Sequence, residues 1–344
     1  MADFPLTPND LSADWLSRTL GYTINSFRVE PLGEGGGLLG LVARIHLDAG
    51  EGPATMIAKF PTLAADNRAV AQTYDMYGRE YRFYTQVAPT VPIRAPHCYF
   101  ASFDPDTSDF MLLLEDLHGY RLGDQVEGCT LEEAHQVVES LAALHRNTWQ
   151  PDHLEDIKRH DMPYQREGMI GGFQVGWPNV LQQFPQLFSE QAIETGANMP
   201  NRVNALLDAI HEGPLVIAHG DVRLDNIFFK PGEIALVDYQ AVCKAAPEHD
   251  LAYFVTQSLP DEVRQAEDWV AVYHHHLTSE GIEYSLDISR DRYRYCVAYF
   301  LCYAVIIAGT LDTANERGRT LAETLLGNSL RSLDEIGAFE LIAQ

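Results

Sequence analysis

Positive charge is scarce in this 344-residue chain: lysine and arginine total 24 against 49 aspartates and glutamates, giving a formal net charge of −25 and a pI near 4.7. No block of basic residues interrupts the acidic background, so the electrostatic footprint of a nucleic-acid or anionic-membrane binder is missing, and both are excluded as main partners. Cysteine is scarce too. The five present (Cys98, Cys129, Cys243, Cys296, Cys302) are odd in number, scattered and never spaced as C-x-x-C. That argues against a disulfide framework and against a zinc site, and fits a reducing cytoplasm. The opening twenty residues, MADFPLTPNDLSADWLSRTL, carry acid where a signal peptide carries base and have no continuous apolar core, so export by that route is not expected. Long apolar runs are lacking as well. The longest, YCVAYFLCYAVIIA over residues 295–308, falls short of the roughly 20 residues a membrane-crossing helix needs and is read as a buried helix.

What is present is enough to fold. An apolar fraction of 46%, with 15 Phe, 16 Tyr and 4 Trp spread along the chain, separates it from an acidic disordered tail. A length above about 250 residues argues for two packed units. Leu11, Trp15, Leu16 and Leu20 recur at helical spacing near the start. Between residues 22 and 115 the pattern turns strand-like: TINSFRVEPL, LVARIHLD, TMIAKF, HCYFASF and FMLLLE, five short strands suggesting an antiparallel sheet. One helix, about 67–87, interrupts them and ends before Pro89 and Pro92. From Thr130 the helical period dominates, with Leu131, Ala134, Val137, Val138, Leu141 and Leu144 on one face. Within this half lies a two-strand island, LVIAHGD and NIFFKPGEIALVDY, turning at Pro231-Gly232. No internal repeat or low-complexity segment is evident. The expected architecture is α+β: a small sheet lobe with one helix over 1–114, a connector over 115–118, and a larger, mainly helical lobe over 119–344 that carries the 215–240 hairpin. A cleft between lobes is where a ligand is expected.

The most informative segment is HGDVRLDN, residues 219–226, followed by Asp238 in IALVDYQ. It resembles the protein-kinase catalytic loop and metal-binding aspartate, H-R-D-x-x-x-x-N and then D-F-G. That chemistry needs one carboxylate facing the nucleophile, with an amide and a second carboxylate, both hard oxygen ligands, on the metal. Four departures matter. Gly220 stands where protein kinases carry Arg, Tyr239-Gln240 replaces Phe-Gly, A-P-E is missing downstream, and Asp250 follows Asp238 too soon for a long activation loop. With HGDxxxxN, VDYQ and the DLAYF of residues 250–254, the chain is similar to the aminoglycoside and choline phosphotransferase superfamily, and most to its ecdysteroid-kinase-like branch. The likeness covers roughly residues 20–309 and implies a two-lobed, protein-kinase-like fold.

Other positions fit the same resemblance. GGGLLGLV matches G-x-G-x-x-G-x-V at Gly35, Gly37, Gly40 and Val42, a segment whose backbone N–H groups would close over phosphates, although a flexible hairpin turn also accounts for the glycines. Lys59 in MIAKFPT sits where the family places the lysine that contacts the α and β phosphates; a snorkelling edge lysine is the alternative. Glu80, 21 residues on, is placed like the helix glutamate that pairs with that lysine, or on a solvated helix face. Glu115 and Leu117 fall in the connector that resembles the hinge reading the adenine edge, and Ile57 and Val42 are positioned to cover the ring or to serve as plain core. Asp250 is read as a brace for the catalytic loop or an N-cap, and His219 as structural. His274, His275 and His276 are successive, so on a helix they point about 100° apart and cannot converge on one ion.

The resemblance implies an ATP-dependent small-molecule kinase. Asp221 would accept the proton of a substrate hydroxyl attacking the γ-phosphorus, Asn226 and Asp238 would hold Mg²⁺, and Lys59 would orient the phosphates. Aromatic and apolar residues in 168–178 and 293–303 lean toward a bulky, partly apolar alcohol as acceptor rather than a polycationic aminoglycoside or amino alcohol. Two other classes compete. A pseudokinase or nucleotide-binding module would lack a Lys, base or metal ligand, and none is missing. A metal-dependent phosphohydrolase would draw on His145, His219 and the His249-Asp250 pair.

Overall fold

The computed structural model describes residues 3–343 apart from positions 38, 153 and 312, and apart from the side chains of 33–37. The chain divides into two compact units. The first comprises Met1–Thr90, Arg94–Tyr120 and Ala235–Ala241; the second comprises Val91–Ile93, Arg121–Ile234 and Val242–Gln344.

In the first unit, Ser12 caps helix α1 (Ala13–Leu20) by accepting from Trp15 N at 3.1 Å, and Trp15 meets the edge of Phe100. Strands β1 (Ile24–Gly37), β2 (Gly40–Ala49), β3 (Thr55–Pro61), β4 (Cys98–Asp104) and β5 (Asp109–Glu115) form one antiparallel sheet in the order β1-β2-β3-β5-β4. Alternation along the strands splits the sheet into two faces. Ala43, Ile45, Ala58, Phe60, Met111 and Leu113 point to one face, in a core completed by Leu16 and Ile24. The register pairs Val42 with Lys59 and Lys59 with Leu112, which leaves these residues and Ile57 on the opposite face.

The single helix expected over 67–87 is interrupted. Helix α2 (Ala65–Thr73) stops and α3 (Met76–Arg82) starts afresh at Asp75, whose φ of 53° is left-handed; a π-helical turn, Phe83–Val87, follows. Aspartate tolerates this conformation better than most residues. Its carboxylate accepts from Arg82 Nη1 at 2.6 Å and lies against Gly78, where a Cβ would approach Asp75 Oδ1 to 2.2 Å.

In the second unit, β6 (Arg121–Leu122) leads to α4 (Leu131–Asn147), which opens on a capping box: Thr130 Oγ1 accepts from Glu133 N and Glu133 Oε2 accepts from Thr130 N. Helices α5 (Pro163–Gln183), α6 (Glu190–Ala197) and α7 (Met199–Ile210) precede β7 (Val216–Ala218). Strand β8 (Ile227–Lys230) turns at Pro231-Gly232 into β9 (Glu233–Leu236), as the sequence suggests, and the last two residues of β9 are counted with the first unit. The partner of β7, however, is β10 (Cys243–Ala245), a three-residue strand too short to leave a periodic signal. Six helices complete the unit: α8 (Glu248–Ser258), α9 (Asp261–Arg264), α10 (Trp269–Thr278), α11 (Leu286–Thr310), α12 (Glu316–Glu335) and α13 (Phe339–Ala343).

Helix α11 runs to 25 residues, well beyond the apolar run that marks it, and is long and apolar enough to cross a membrane; 67% of its apolar window is buried inside the protein. Its contact with α5 is close because glycines line it. A Cβ at Gly176 would come within 2.7 Å of Val305 O, and one at Gly309 within 2.6 Å of Gly176 Cα. Gly172 and Gly176 of the 168–178 segment therefore serve helix packing.

His211, just past α7, is buried. Its Nδ1 donates to Leu207 O at 2.8 Å, its Nε2 finds no hydrogen-bond partner among the described residues, and burial pushes the imidazole down to about 4. A lowered histidine favours the fold only while it is neutral in the unfolded chain. Stability is accordingly expected to fall as pH drops from about 6.5 toward 4, at up to about 1.4 kcal/mol per pH unit and about 3 kcal/mol in all. Urea unfolding at pH 7.5, 6 and 5 checks this, and His211→Gln should flatten the dependence.

Candidate active site

Three of the expected residues meet in the first unit. Lys59 projects from the sheet face opposite the apolar core. Its Nζ donates to Glu80 Oε1 at 2.6 Å, from α3, and to Asp238 Oδ1 at 3.0 Å. Burial works against both charges of the inner pair. It pushes the Glu80 carboxyl up to about 7 and would lower Lys59, but Asp238 and Glu80 together hold the ammonium above its usual range. Asp238 stands at a left-handed φ of 66° two residues after β9, and its side chain keeps 34% of its surface exposed. The 235–241 segment is anchored by Leu236 N donating to Arg94 O, by Tyr239 stacked face to face on Phe83, and by Arg79 Nη1 donating to Ala241 O.

The acidic side chains of the connector are engaged by arginines. Arg94 Nη2 donates to Glu115 Oε1 at 2.5 Å, His97 N donates to Glu115 Oε2, and Arg44 Nε donates to Asp116 Oδ2 at 2.6 Å. These acidic side chains are engaged, which leaves the backbone around the buried Leu117 as the part able to address a ligand. Val42 and Ile57 lie on the Lys59 face. Of the glycine segment, Gly35 and Gly37 fall in the stretch whose side chains lie outside the described residues. Gly40 opens β2, and a Cβ there would come within 3.1 Å of Phe60 O.

Asp221 and Asn226 meet in the second unit, in the turn between β7 and β8. Asp221 Oδ1 accepts from Tyr253 OH at 2.9 Å and from Arg223 Nε at 3.0 Å, while Asn226 Nδ2 donates to Asp221 Oδ2 at 3.0 Å and to its carbonyl at 2.9 Å. The amide's nitrogen is thus committed to the turn and its Oδ1 is the atom suited to a hard cation. The carboxylate Asp221 raises the Arg223 guanidinium above its ordinary range.

The turn is braced from below. Gly220 takes a φ of 83°, a conformation that excludes the arginine of protein kinases from this position, and its N–H donates to Asp250 Oδ1 at 2.9 Å. His219 N donates to Asp250 Oδ2 at 2.6 Å, and His145 Nε2 lies 3.1 Å from the same oxygen. Asp250 is the third residue of α8 and spends its carboxylate on this loop, which decides between the two roles open to it in the sequence. His145, with Nδ1 2.7 Å from Tyr273 OH, is wholly buried and hydrogen-bonded internally. The described residues include no group of three or more His, Cys, Asp or Glu side chains arranged to hold a metal ion. His274 Nε2 pairs with Tyr284 O.

Arg223, Tyr253 and Gln125 are the residues that sequence reasoning left unassigned. Gln125 Oε1 accepts from Leu224 N at 2.8 Å and its Nε2 donates to Gln257 O at 2.6 Å, fixing the turn from a distant stretch of chain. Arg223 and Tyr253 lie inside the two quoted motifs, so their presence was visible although their partners were not.

The profile of the ecdysteroid kinase-like family matches residues 35–283, most of the chain. The chain belongs to the ecdysteroid kinase-like family. No curated protein sequence matches this member significantly. Among solved structures it is similar to a choline kinase from Cryptosporidium parvum (13% identity, 92% of each chain covered, TM-score 0.54). It is also similar to a choline/ethanolamine kinase family protein from Mesorhizobium loti (14%, 96% of this chain and 98% of that, TM-score 0.52). A third is the GDP and kanamycin complex of the aminoglycoside phosphotransferase APH(2″)-IIIa (13%, 95% and 99%, TM-score 0.52). At such identities the likeness establishes the fold alone. The ecdysteroid kinase-like chain has the α+β, protein-kinase-like fold that its motifs imply.

Proposed function

We propose that this ecdysteroid kinase-like protein is an ATP-dependent small-molecule kinase that transfers the γ-phosphate to a hydroxyl of a bulky, partly apolar alcohol. The observation that carries the reading is the buried Lys59, held between Glu80 and Asp238 and so presented as a fixed cation for phosphate oxygens. Asp221 is assigned as the acceptor of the hydroxyl proton while the oxygen attacks the γ-phosphorus and ADP departs. Asn226 Oδ1 and the Asp238 carboxylate are hard oxygen donors that fit Mg²⁺, which when bound neutralises charge on the phosphates. Nucleotide binding is supported by relatives in this fold solved with GDP. Glu115 and Leu117 are assigned to the adenine edge through their backbone, with Val42 and Ile57 against the ring and Gly35, Gly37 and Gly40 toward the phosphates.

The proposed acceptor class is supported by what adjoins Asp221. Tyr253 donates to it, the half-buried Tyr303 ring lies 5.7 Å from Tyr253, and Arg223 sets a positive charge on the same carboxylate. Aromatic rings near the carboxylate and an arginine that offsets its charge favour an uncharged, apolar-bodied alcohol over a polycation. Replacing Tyr253 by Phe removes one donor from the carboxylate and is expected to cost about tenfold in kcat/KM, roughly 1.4 kcal/mol, with little change in melting temperature.

The deciding experiment measures ATP consumption with Mg²⁺ against pooled hydroxylated molecules: steroids, amino alcohols, sugars and antibiotics. Acceptor-dependent turnover from an apolar-alcohol pool is expected. ATP binding with no pool stimulating turnover would instead mark a nucleotide-binding module, turnover only with aminoglycosides or amino alcohols would overturn the acceptor class, and phosphate release from a monoester without ATP would mark a hydrolase.

A further inference from the structure

The second unit holds a cavity of about 640 Å³, within the range of small-molecule sites. Its walls come from the chain after α4, the approach to α5, the turn before β7, and Lys244 of β10. None of the residues that surround Asp221 lines it. It borders the start of β7, whereas Asp221 follows the strand's end.

Its charges are out of keeping with the molecule. The sequence has only four lysines. Lys59 is bound to Glu80 and Asp238, and Lys230 pairs with Glu233. The other two, Lys158 and Lys244, both line this cavity, and neither enters an ion pair among the described residues. In a chain with twice as many carboxylates as cations, two lysines on one cavity with no ion pair among the described residues call for a reason. Arg159 adds a third cation, gripped in a two-point pair by Asp161 at 2.8 Å; Asp152 and Glu155 are the acidic residues of the lining.

The walls are also prearranged. Lys244 N donates to Lys158 O and His160 N donates to Lys244 O, each at 2.9 Å, so one short backbone ladder sets the spacing of the two lysines. Gln150 on the rim adopts a left-handed φ of 50°, held there as Gln150 N donates to Leu215 O at 2.8 Å. Strain of this kind persists only where surrounding structure enforces it and is characteristic of ligand sites. The buried Arg292 fixes the facing turn by donating to Pro214 O and Ile210 O.

We propose that this cavity binds a small organic anion, its phosphate or carboxylate group received by Lys158 and Lys244, at a site separate from the catalytic turn. β7 runs from the cavity wall directly into the residues 219–221, and Lys244 lies six residues after Asp238 and six before Asp250. An anion bound here therefore stiffens the strand pair on which that turn is mounted.

Isothermal titration at constant ionic strength tests the proposal with inorganic phosphate, glycerol 3-phosphate and citrate as probes. Saturable one-to-one binding of at least one probe is expected, with the phosphate and citrate arms showing which head group is preferred. Lys158→Gln and Lys244→Gln should each weaken it at least tenfold, Lys244→Arg should retain it within about threefold, and Lys59→Met should leave it unchanged. Near-UV circular dichroism verifies that each variant is folded; Lys158, being exposed, gives a variant safe in this respect. No saturable binding, binding equal to wild type in both glutamine variants, or binding lost with Lys59→Met would overturn the site. These results do not depend on whether the protein turns over an acceptor, so failure here and failure of the kinase reading are distinguishable.

Discussion

Asp221→Asn is expected to lower kcat/KM by about 10²- to 10⁴-fold, roughly 2.7 to 5.5 kcal/mol at 1.36 kcal/mol per decade, while leaving the fold intact. The substitution preserves size and shape, and an amide oxygen can still accept from Tyr253. In the proposed mechanism, what it removes is the capacity to take a proton from the attacking hydroxyl. Stability should change little because Asp221 and Arg223 are both partly exposed, and ion pairs of that kind contribute about 1 kcal/mol or less. Initial rates with the best acceptor, alongside the melting temperature, make the test. A loss below tenfold would mean that proton removal is not Asp221's task.

Asp250→Ala should show the opposite profile, a large loss of stability. The carboxylate is fully buried and takes hydrogen bonds from His219 N and Gly220 N, with His145 Nε2 at 3.1 Å and His249 Nδ1 at 3.3 Å. Truncation strands these groups in the interior at a cost of about 3–5 kcal/mol, a large part of a typical 5–15 kcal/mol. Chemical denaturation measures it, and a cost under about 1 kcal/mol would show that other groups take over. Although burial acts in the opposite direction, His145 and His249 hold Asp250 well below the usual carboxylate range. A depressed carboxyl stabilises the fold above its unfolded pKa, near 3.9, and that contribution drains away as pH falls through the lower folded value, so the wild type should owe part of its acid resistance to this residue.

Much of this was legible in the sequence because the signals are local. All five strands of the sheet were placed from short apolar or alternating runs punctuated by turns, and four lie within about two residues of their expected spans, while β1 runs on from Leu32 to Gly37. The break at Asp75 was not legible. Neither Pro nor Gly marks it, and the contacts that sustain it come from Gly78 and Arg82, one and two turns away. The pairing of β7 with β10 escaped for a related reason: three residues carry no period. At the candidate site, the HGDVRLDN and VDYQ spacing singled out Asp221, Asn226 and Asp238 and the family resemblance added Lys59 and Glu80; the structure brings Lys59, Glu80 and Asp238 together, and Asp221 together with Asn226. The donors around Asp221 were hidden, because Tyr253 reaches it from 32 residues away and only folding brings that hydroxyl to the carboxylate.

The ownership of residues 235–241 limits how this chain can be divided. A fragment ending at Tyr120 would contain the whole five-stranded sheet yet lack Asp238, leaving Lys59 and Glu80 to share one buried pair without its second carboxylate. It would also uncover Phe83 by removing Tyr239, presenting an aromatic surface prone to self-association. Split reporters, recombination between relatives and expression of the sheet unit by itself must therefore carry this heptapeptide along, supplied either by a grafted linker or in trans.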